Sequence, residues 1–194
     1  MLHYFIFYKP HEVLSQFSRE GDKKTLADFF HSLSKDVYPV GRLDYDSEGL
    51  LFLTNDKQVT HRLLEPKHQH ARTYYVQVEG AITGEAIREL ENGVNISVNG
   101  KPYLTAKAVA NILPQEPRLP ERNPPIRFRK NIPTSWLALT ITEGKNRQVR
   151  KMTAAVGFPT LRLVRYSIGN IDIAGMESGD IRELDAEEVK QLFS

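Results

Sequence analysis
Apolar positions change period several times along this chain, and each change marks an element. Leu2 to Tyr8 is dense in aromatic and branched residues and stops at Pro10, which predicts a strand. Leu26, Phe29, Phe30 and Leu33 fall at i, i+3, i+4 and i+7, which predicts a short amphipathic helix opening near Thr25. Leu50 to Thr54 predicts a buried strand. Asn55 or Asp56 can cap a following helix that ends at Pro66 and turns Val59, Leu63 and Leu64 inward. Arg72 to Glu79 alternates as a strand does, and Thr83 opens a helix through Ile87 and Leu90, closed by Asn92-Gly93. Val94 to Val98, Asn99-Gly100 and Tyr103 onward predict a hairpin, with Ala106, Ala108, Ala110 and Ile112 carrying the alternation on.

Residues 114–133 hold six of the eleven prolines and fit no regular element, so a long functional or mobile loop is expected there. Trp136 to Thr142 predicts a strand. Asn146 is the expected cap of a helix with Val149, Met152 and Val156 inward, ended by Gly157 and Pro159. Thr160 to Ile168 predicts a strand, and Asp185 with Glu188 forms a capping box for a last helix burying Val189, Leu192 and Phe193. Strands outnumber helices and include a hairpin. The expected class is α+β, a mixed and largely antiparallel sheet with flanking helices, rather than a doubly wound parallel sheet. No repeat, low-complexity tract or linker divides the 194 residues, so one domain spanning 1–194 is expected.

A hydrophobic content of 40% argues against a disordered chain. The absence of Cys excludes disulfides and thiolate metal sites and fits a reducing compartment. The apolar start, MLHYFIFYKPHEV, is too short for a signal peptide or a membrane span, so a cytoplasmic protein is expected. Net charge is only +2 but uneven. Arg118 to Arg165 contains eleven Lys or Arg against Glu121 and Glu143, whereas Asp172 to Ser194 contains seven acids and two bases. The basic zone suits a polyanion partner or a solvated surface, and charge alone leaves both open.

Chemistry concentrates in GRLDYDSEGLLFLTND, residues 41–56. Asp44, Asp46, Glu48 and Gly49 imitate the opening of an EF-hand loop. The twelfth position is Asn55 instead of a bidentate Glu, and Pro39 and Gly41 stand where a helix should lead in, which excludes calcium. In extended backbone Arg42 and Asp44 share one face and Leu43 takes the other. An Arg so placed can keep the carboxylate ionised, and an ionised Asp can act as a nucleophile. A surface Arg–Asp turn is also compatible with the spacing. Asp44 and Asp46 could also serve as a glycosidase pair, but no aromatic sugar platform accompanies them. His61, His68 and His70 lie in a polar stretch, EPKHQHAR, that reads as a solvated loop with no metal site.

GRLDYDSEGL resembles the signature of the pseudouridine synthase superfamily, G-R-L-D-x-x-S/T-x-G-L, at every fixed position. YKPHEVL resembles the family's opening Lys-Pro motif, ARTYYVQVEG its tyrosine-bearing strand, and EGKNRQVRKMTAAVG its third motif. The Arg-Gln-Val-Arg spelling is similar to the branch containing small-subunit synthase A and large-subunit synthases B, E and F. The resemblance implies the synthase catalytic fold, with an active-site cleft across the sheet and no cofactor. Its amino-terminal RNA-binding domain of the S4 type, common in that branch, is expected to be missing here. It implies Asp44 as the nucleophile, Tyr74 as the residue stacking on a flipped base and aiding proton removal, Arg150 as the partner of Asp44, and Arg42 as a residue that rearranges around the nucleotide. Tyr75 is then expected in the core. Asp46 and Glu48 are expected to be turn residues, with Ser47 and Gly49 shaping the loop. Lys9 and Pro10 are expected to order nearby backbone, Lys9 also touching phosphate. The implied partner is ribosomal RNA, 23S, bound by a monomer. Arg127, Arg129, Lys130, Lys145, Arg147 and Lys151 are the candidate phosphate contacts. The competing expectation is an RNA-binding or ribosome-assembly module that keeps the fold without turnover.

Overall fold
The computed structural model describes residues 1–127 and 131–193. The first strands are β1 (Tyr4–Lys9), β2 (Val13–Leu14), β3 (Lys24–Thr25), β4 (Tyr38–Pro39) and β5 (Glu48–Thr54). Helix α1 (Lys57–Leu64), β6 (Arg72–Glu79) and α2 (Gly84–Asn92) follow. Next come β7 (Asn95–Val98), β8 (Lys101–Leu104), β9 (Val109–Leu113), β10 (Thr134–Ile141) and α3 (Gln148–Ala155). The chain ends with β11 (Thr160–Ile168), β12 (Ile171–Asp172), β13 (Ile181–Glu183) and α4 (Ala186–Lys190). It divides into two compact units: Met1–His70, Pro120–Pro124 and the residues from Arg165 on; and Ala71–Leu119 with Pro125–Val164. Apart from the short parallel pair β2–β3, the pairings β1–β5, β1–β13, β6–β10, β9–β10 and β7–β8 are antiparallel, as the sequence pattern predicts for an α+β sheet.

In the first unit, β1 pairs with β5 from Tyr4 opposite Thr54 to Lys9 opposite Gly49, and takes β13 on its other edge. β5 is buried along its whole length, between β1 and the end of β11. A strand covered on both faces has no solvent side to alternate with, which explains the unbroken LLFL run. Phe7, Leu26, Val37, Leu43, Leu51 and Leu53 form one apolar cluster here.

The helix expected over Leu26 to Leu33 is a single 3-10 turn, Leu26–Asp28, although its Thr25–Asp28 capping box forms. Phe29 and Phe30 instead pack on Phe7 at centroid distances of 5.1 and 5.2 Å. Ser32 and Ser34 are poor helix formers, and Ser34 spends its hydroxyl on Asp36. Asp56 caps α1 by accepting from the Gln58 and Val59 amides, but Leu64 is exposed rather than inward. Val59 and Leu63 are four apart and define the covered face; Leu64 falls about 100° around from Leu63. Asp185 and Glu188 close the expected capping box on α4, with Val189 and Leu192 buried.

In the second unit, β10 pairs along its length with β6 and on its other side with β9. Thr83 caps α2, which buries Ala86, Ile87 and Leu90. Asn99 and Gly100 both have positive φ, the requirement of a tight two-residue hairpin turn between β7 and β8. Helix α3 starts after Arg147, not Asn146. No side chain caps the first turn; instead the Gln148 side chain reaches back to accept the amide of Lys145, ahead of the helix, at 2.9 Å. Val149 and Met152 are buried as expected, while Val156 lies just past the helix. The described residues of 114–133 form no strand or helix. No helix among the described residues is long and apolar enough to cross a membrane.

Candidate active site
Asp44 sits at the first corner of a turn closed by the Ser47 amide on the Asp44 carbonyl at 3.0 Å. Arg42 is exposed, Leu43 buried and Asp44 half-buried, the alternation that extended backbone requires. The flanks are anchored in the core. The Val40 amide bonds the Phe52 carbonyl, the Glu12 amide bonds the Tyr45 carbonyl, and Leu43 exchanges two hydrogen bonds with the Ser15 hydroxyl. The loop is therefore fixed on its inner side and carries Arg42 and Asp44 on the other.

The three acids are not alike. Glu48 is not a turn residue: it is the first residue of β5 and only 2% exposed. Its charge faces Lys9, which is fully buried. Burial lowers the Lys9 ammonium to about pKa 7, against the opposing pull of Glu48, Asp46 and Asp44. Lys9 Nζ donates to the Val13 carbonyl at 2.7 Å and the Pro10 carbonyl at 2.9 Å. Lys9 thus points inward and has no open side for a phosphate, which corrects that expectation. Arg165, also buried, lies in the same charge group and donates from Nε to the Leu50 carbonyl at 2.8 Å. His11 also feels Glu48, and its imidazole is held below the usual range by burial and by Arg122.

Tyr74 and Arg150 lie in the second unit. Tyr74 shares the inward face of β6 with Val76 and Val78 and belongs to the apolar cluster that includes Val149, Met152 and Leu163. Tyr75, expected in the core, is half-buried on the opposite face, and the buried tyrosine of the pair is Tyr74. Arg150 is half-buried on α3, next to the inward Val149. The entry to α3 is organised by Glu143. Its carboxylate accepts from Tyr103 Oη at 2.5 Å, from the Ala106 amide at 2.8 Å and from Gln148 Nε2 at 2.6 Å. Lys145 covers the Tyr103 ring at 4.9 Å.

Among the phosphate candidates, Arg127, Lys145 and Arg147 are exposed and Lys151 is partly so. Arg129 and Lys130 lie outside the described residues. Arg162 and Arg165, counted in the basic zone, are buried and add nothing to a charged surface. His68 stacks on His70, and His70 meets Phe193 edge-on, while His61 and the stretch Pro66 to Gln69 stay exposed to solvent, as expected. Ser15, Glu48 and Glu143 carry no sequence signal of their own importance: a lone Ser after a strand and acids beside glycines read as turns.

Comparison with known proteins places these features in a wider set. A family model described as RNA pseudouridylate synthase matches residues 3–155. A ribosomal large subunit pseudouridine synthase E of Vibrio vulnificus is 52% identical over 179 residues, covering 92% of this chain and 74% of the relative. A protein of the same name from Xanthomonas axonopodis pv. citri is 54% identical over 164 residues, covering 84% of this chain and 83% of the relative. A crystal structure of a pseudouridylate synthase superposes with a TM-score of 0.80 at 29% identity, covering 99% of this chain and 74% of that one.

Proposed function
Because this chain belongs to the RNA pseudouridylate synthase family, we propose that it converts one uridine of large-subunit ribosomal RNA, 23S, to pseudouridine. The N1–C1′ bond breaks, the freed base turns, and C5 joins C1′; the C5 proton leaves to solvent and N1 regains one. A uridine inside folded RNA is first extruded, at an unstacking cost of a few kcal/mol. Stacking and backbone contacts offset that cost.

Asp44 attacks or stabilises C1′ while the base turns. Tyr74 stacks on the flipped base and aids removal of the C5 proton. Arg150 is the partner of the Asp44 carboxylate, and Arg42 moves around the extruded nucleotide. Arg127, Arg129, Lys130, Lys145, Arg147 and Lys151 hold phosphates. The protein acts as a monomer in the cytoplasm, where ribosomal RNA is assembled.

The observation that carries this reading is the turn at Asp44, a signature acid presented on one face by backbone fixed on the other. A pure RNA-binding module has no need of Asp44, Tyr74 and Arg150 together. The test is release of tritium from [5-³H]uridine-labelled 23S RNA by the purified protein. Release supports isomerisation; tight binding with no release would establish the silent module instead.

A further inference from the structure
Asp44 is gripped from both sides by one short segment. On its amino-terminal side, the Leu43 N–H donates to Ser15 Oγ at 3.0 Å, and the same hydroxyl donates to the Leu43 carbonyl at 2.8 Å. On its carboxy-terminal side, the Tyr45 carbonyl accepts from the Glu12 N–H at 2.9 Å. A serine hydroxyl has one donor and two acceptor lone pairs, so it can satisfy both backbone groups of a single residue. Ser15 is 3% exposed, which keeps water from competing for those groups.

The segment is itself immobilised. Val13 and Leu14 pair with Lys24 and Thr25. The Lys9 ammonium binds the Pro10 and Val13 carbonyls, with Glu48 supplying the nearby negative charge. The Gln16 carbonyl accepts the Leu26 amide at 2.9 Å. Ser15 therefore links a fixed scaffold to the peptide immediately before Asp44.

We infer that Ser15 is a positioning residue for the isomerisation, holding the Leu43 peptide so that the Asp44 carboxylate meets the flipped nucleotide in one orientation. This rests on Asp44 being the nucleophile. Small misplacements of a reacting group are costly because the bound geometry must be near attack. Affinity for RNA does not pass through this clamp, since Ser15 is buried away from solvent.

The test compares Ser15→Ala, Ser15→Cys and Asp44→Asn for RNA Kd and for single-turnover tritium release at saturating RNA, normalised to folded protein by circular dichroism. Ser15→Ala should keep Kd and lose about tenfold in rate, the scale of a hydrogen bond's contribution. Ser15→Cys should fall between Ala and wild type, because a thiol is a weaker donor and acceptor. A Ser15→Ala enzyme as fast as wild type beside an inactive Asp44→Asn overturns the clamp alone, as does a loss confined to Kd. If Ser15→Ala does not fold, wild-type rate in Ser15→Cys overturns it. An active Asp44→Asn overturns the nucleophile assignment and the clamp with it.

Discussion

Gly49 and Arg165 approach so closely that a Cβ on Gly49 would stand 2.3 Å from the Arg165 carbonyl oxygen. Gly49 also has φ of 103°, a conformation that side chains resist. Both constraints act at the start of β5, just after the turn that bears Asp44. Gly49→Ala should cost at least about 3 kcal/mol through combined clash and backbone strain. In a chain of this size that lowers Tm by roughly 6–12 °C, readable by scanning calorimetry. An unchanged Tm would mean that the close approach is not maintained in solution.

The signature glycine was legible as a loop former, but its reason was not. The neighbour that forbids a side chain is more than a hundred residues away in sequence, on β11. The same limit explains the other differences. Local pattern located β6 and β11 to the residue and the caps Thr83 and Asp185, and narrowed the α1 cap to Asn55 or Asp56. It overstated the helix after Thr25, where Phe29 and Phe30 keep helical spacing yet are drawn onto Phe7. Glu48 looked like one more turn acid, because only the fold brings it to a buried lysine. Motif spelling, not spacing, singled out Asp44, Tyr74, Arg42 and Arg150.

Glu143 binds Tyr103, Ala106 and Gln148 together. Removing the carboxylate leaves several donors without their acceptor, so Glu143→Ala should destabilise by about 2–4 kcal/mol. The Tyr103 phenol is raised above its ordinary value, chiefly because it donates to Glu143. In Glu143→Ala that phenol should ionise at lower pH, which a difference ultraviolet titration against Tyr103→Phe would read. No change in its titration would remove Glu143 from this role.

Lys9 supplies a pH signature. Its folded-state value of about 7 lies below the ordinary 10.5. At pH below 7 the ammonium is charged in both folded and unfolded chains, and its burial is a full cost. Between 7 and 10.5 the unfolded chain binds more proton, so this group's contribution to stability rises with pH. The rise is on the order of a few kcal/mol. Urea unfolding at about pH 6.5 and about pH 9.5 should therefore show wild type gaining stability relative to Lys9→Met as pH increases. A pH-independent difference would contradict a depressed Lys9.

Phosphate contacts are expected to show themselves through salt. Replacing Lys145, Arg147 and Lys151 together with Ala should weaken binding to the RNA. It should also flatten the plot of log K against log salt by about 2, since each phosphate left unneutralised on a single strand removes near 0.7 from the slope. Replacing Arg129 and Lys130 should flatten it likewise. An unchanged slope would take those residues off the RNA surface.

The proposed chemistry rests on Asp44, held between Leu43 and Tyr45 on an anchored turn. Asp44→Asn is nearly isosteric at a half-exposed position and should leave Tm and RNA affinity intact. The decisive measurement is tritium release from [5-³H]uridine-labelled 23S RNA by that variant. No release above background is expected from a folded, RNA-binding protein; release at the wild-type rate would contradict Asp44 as the nucleophile.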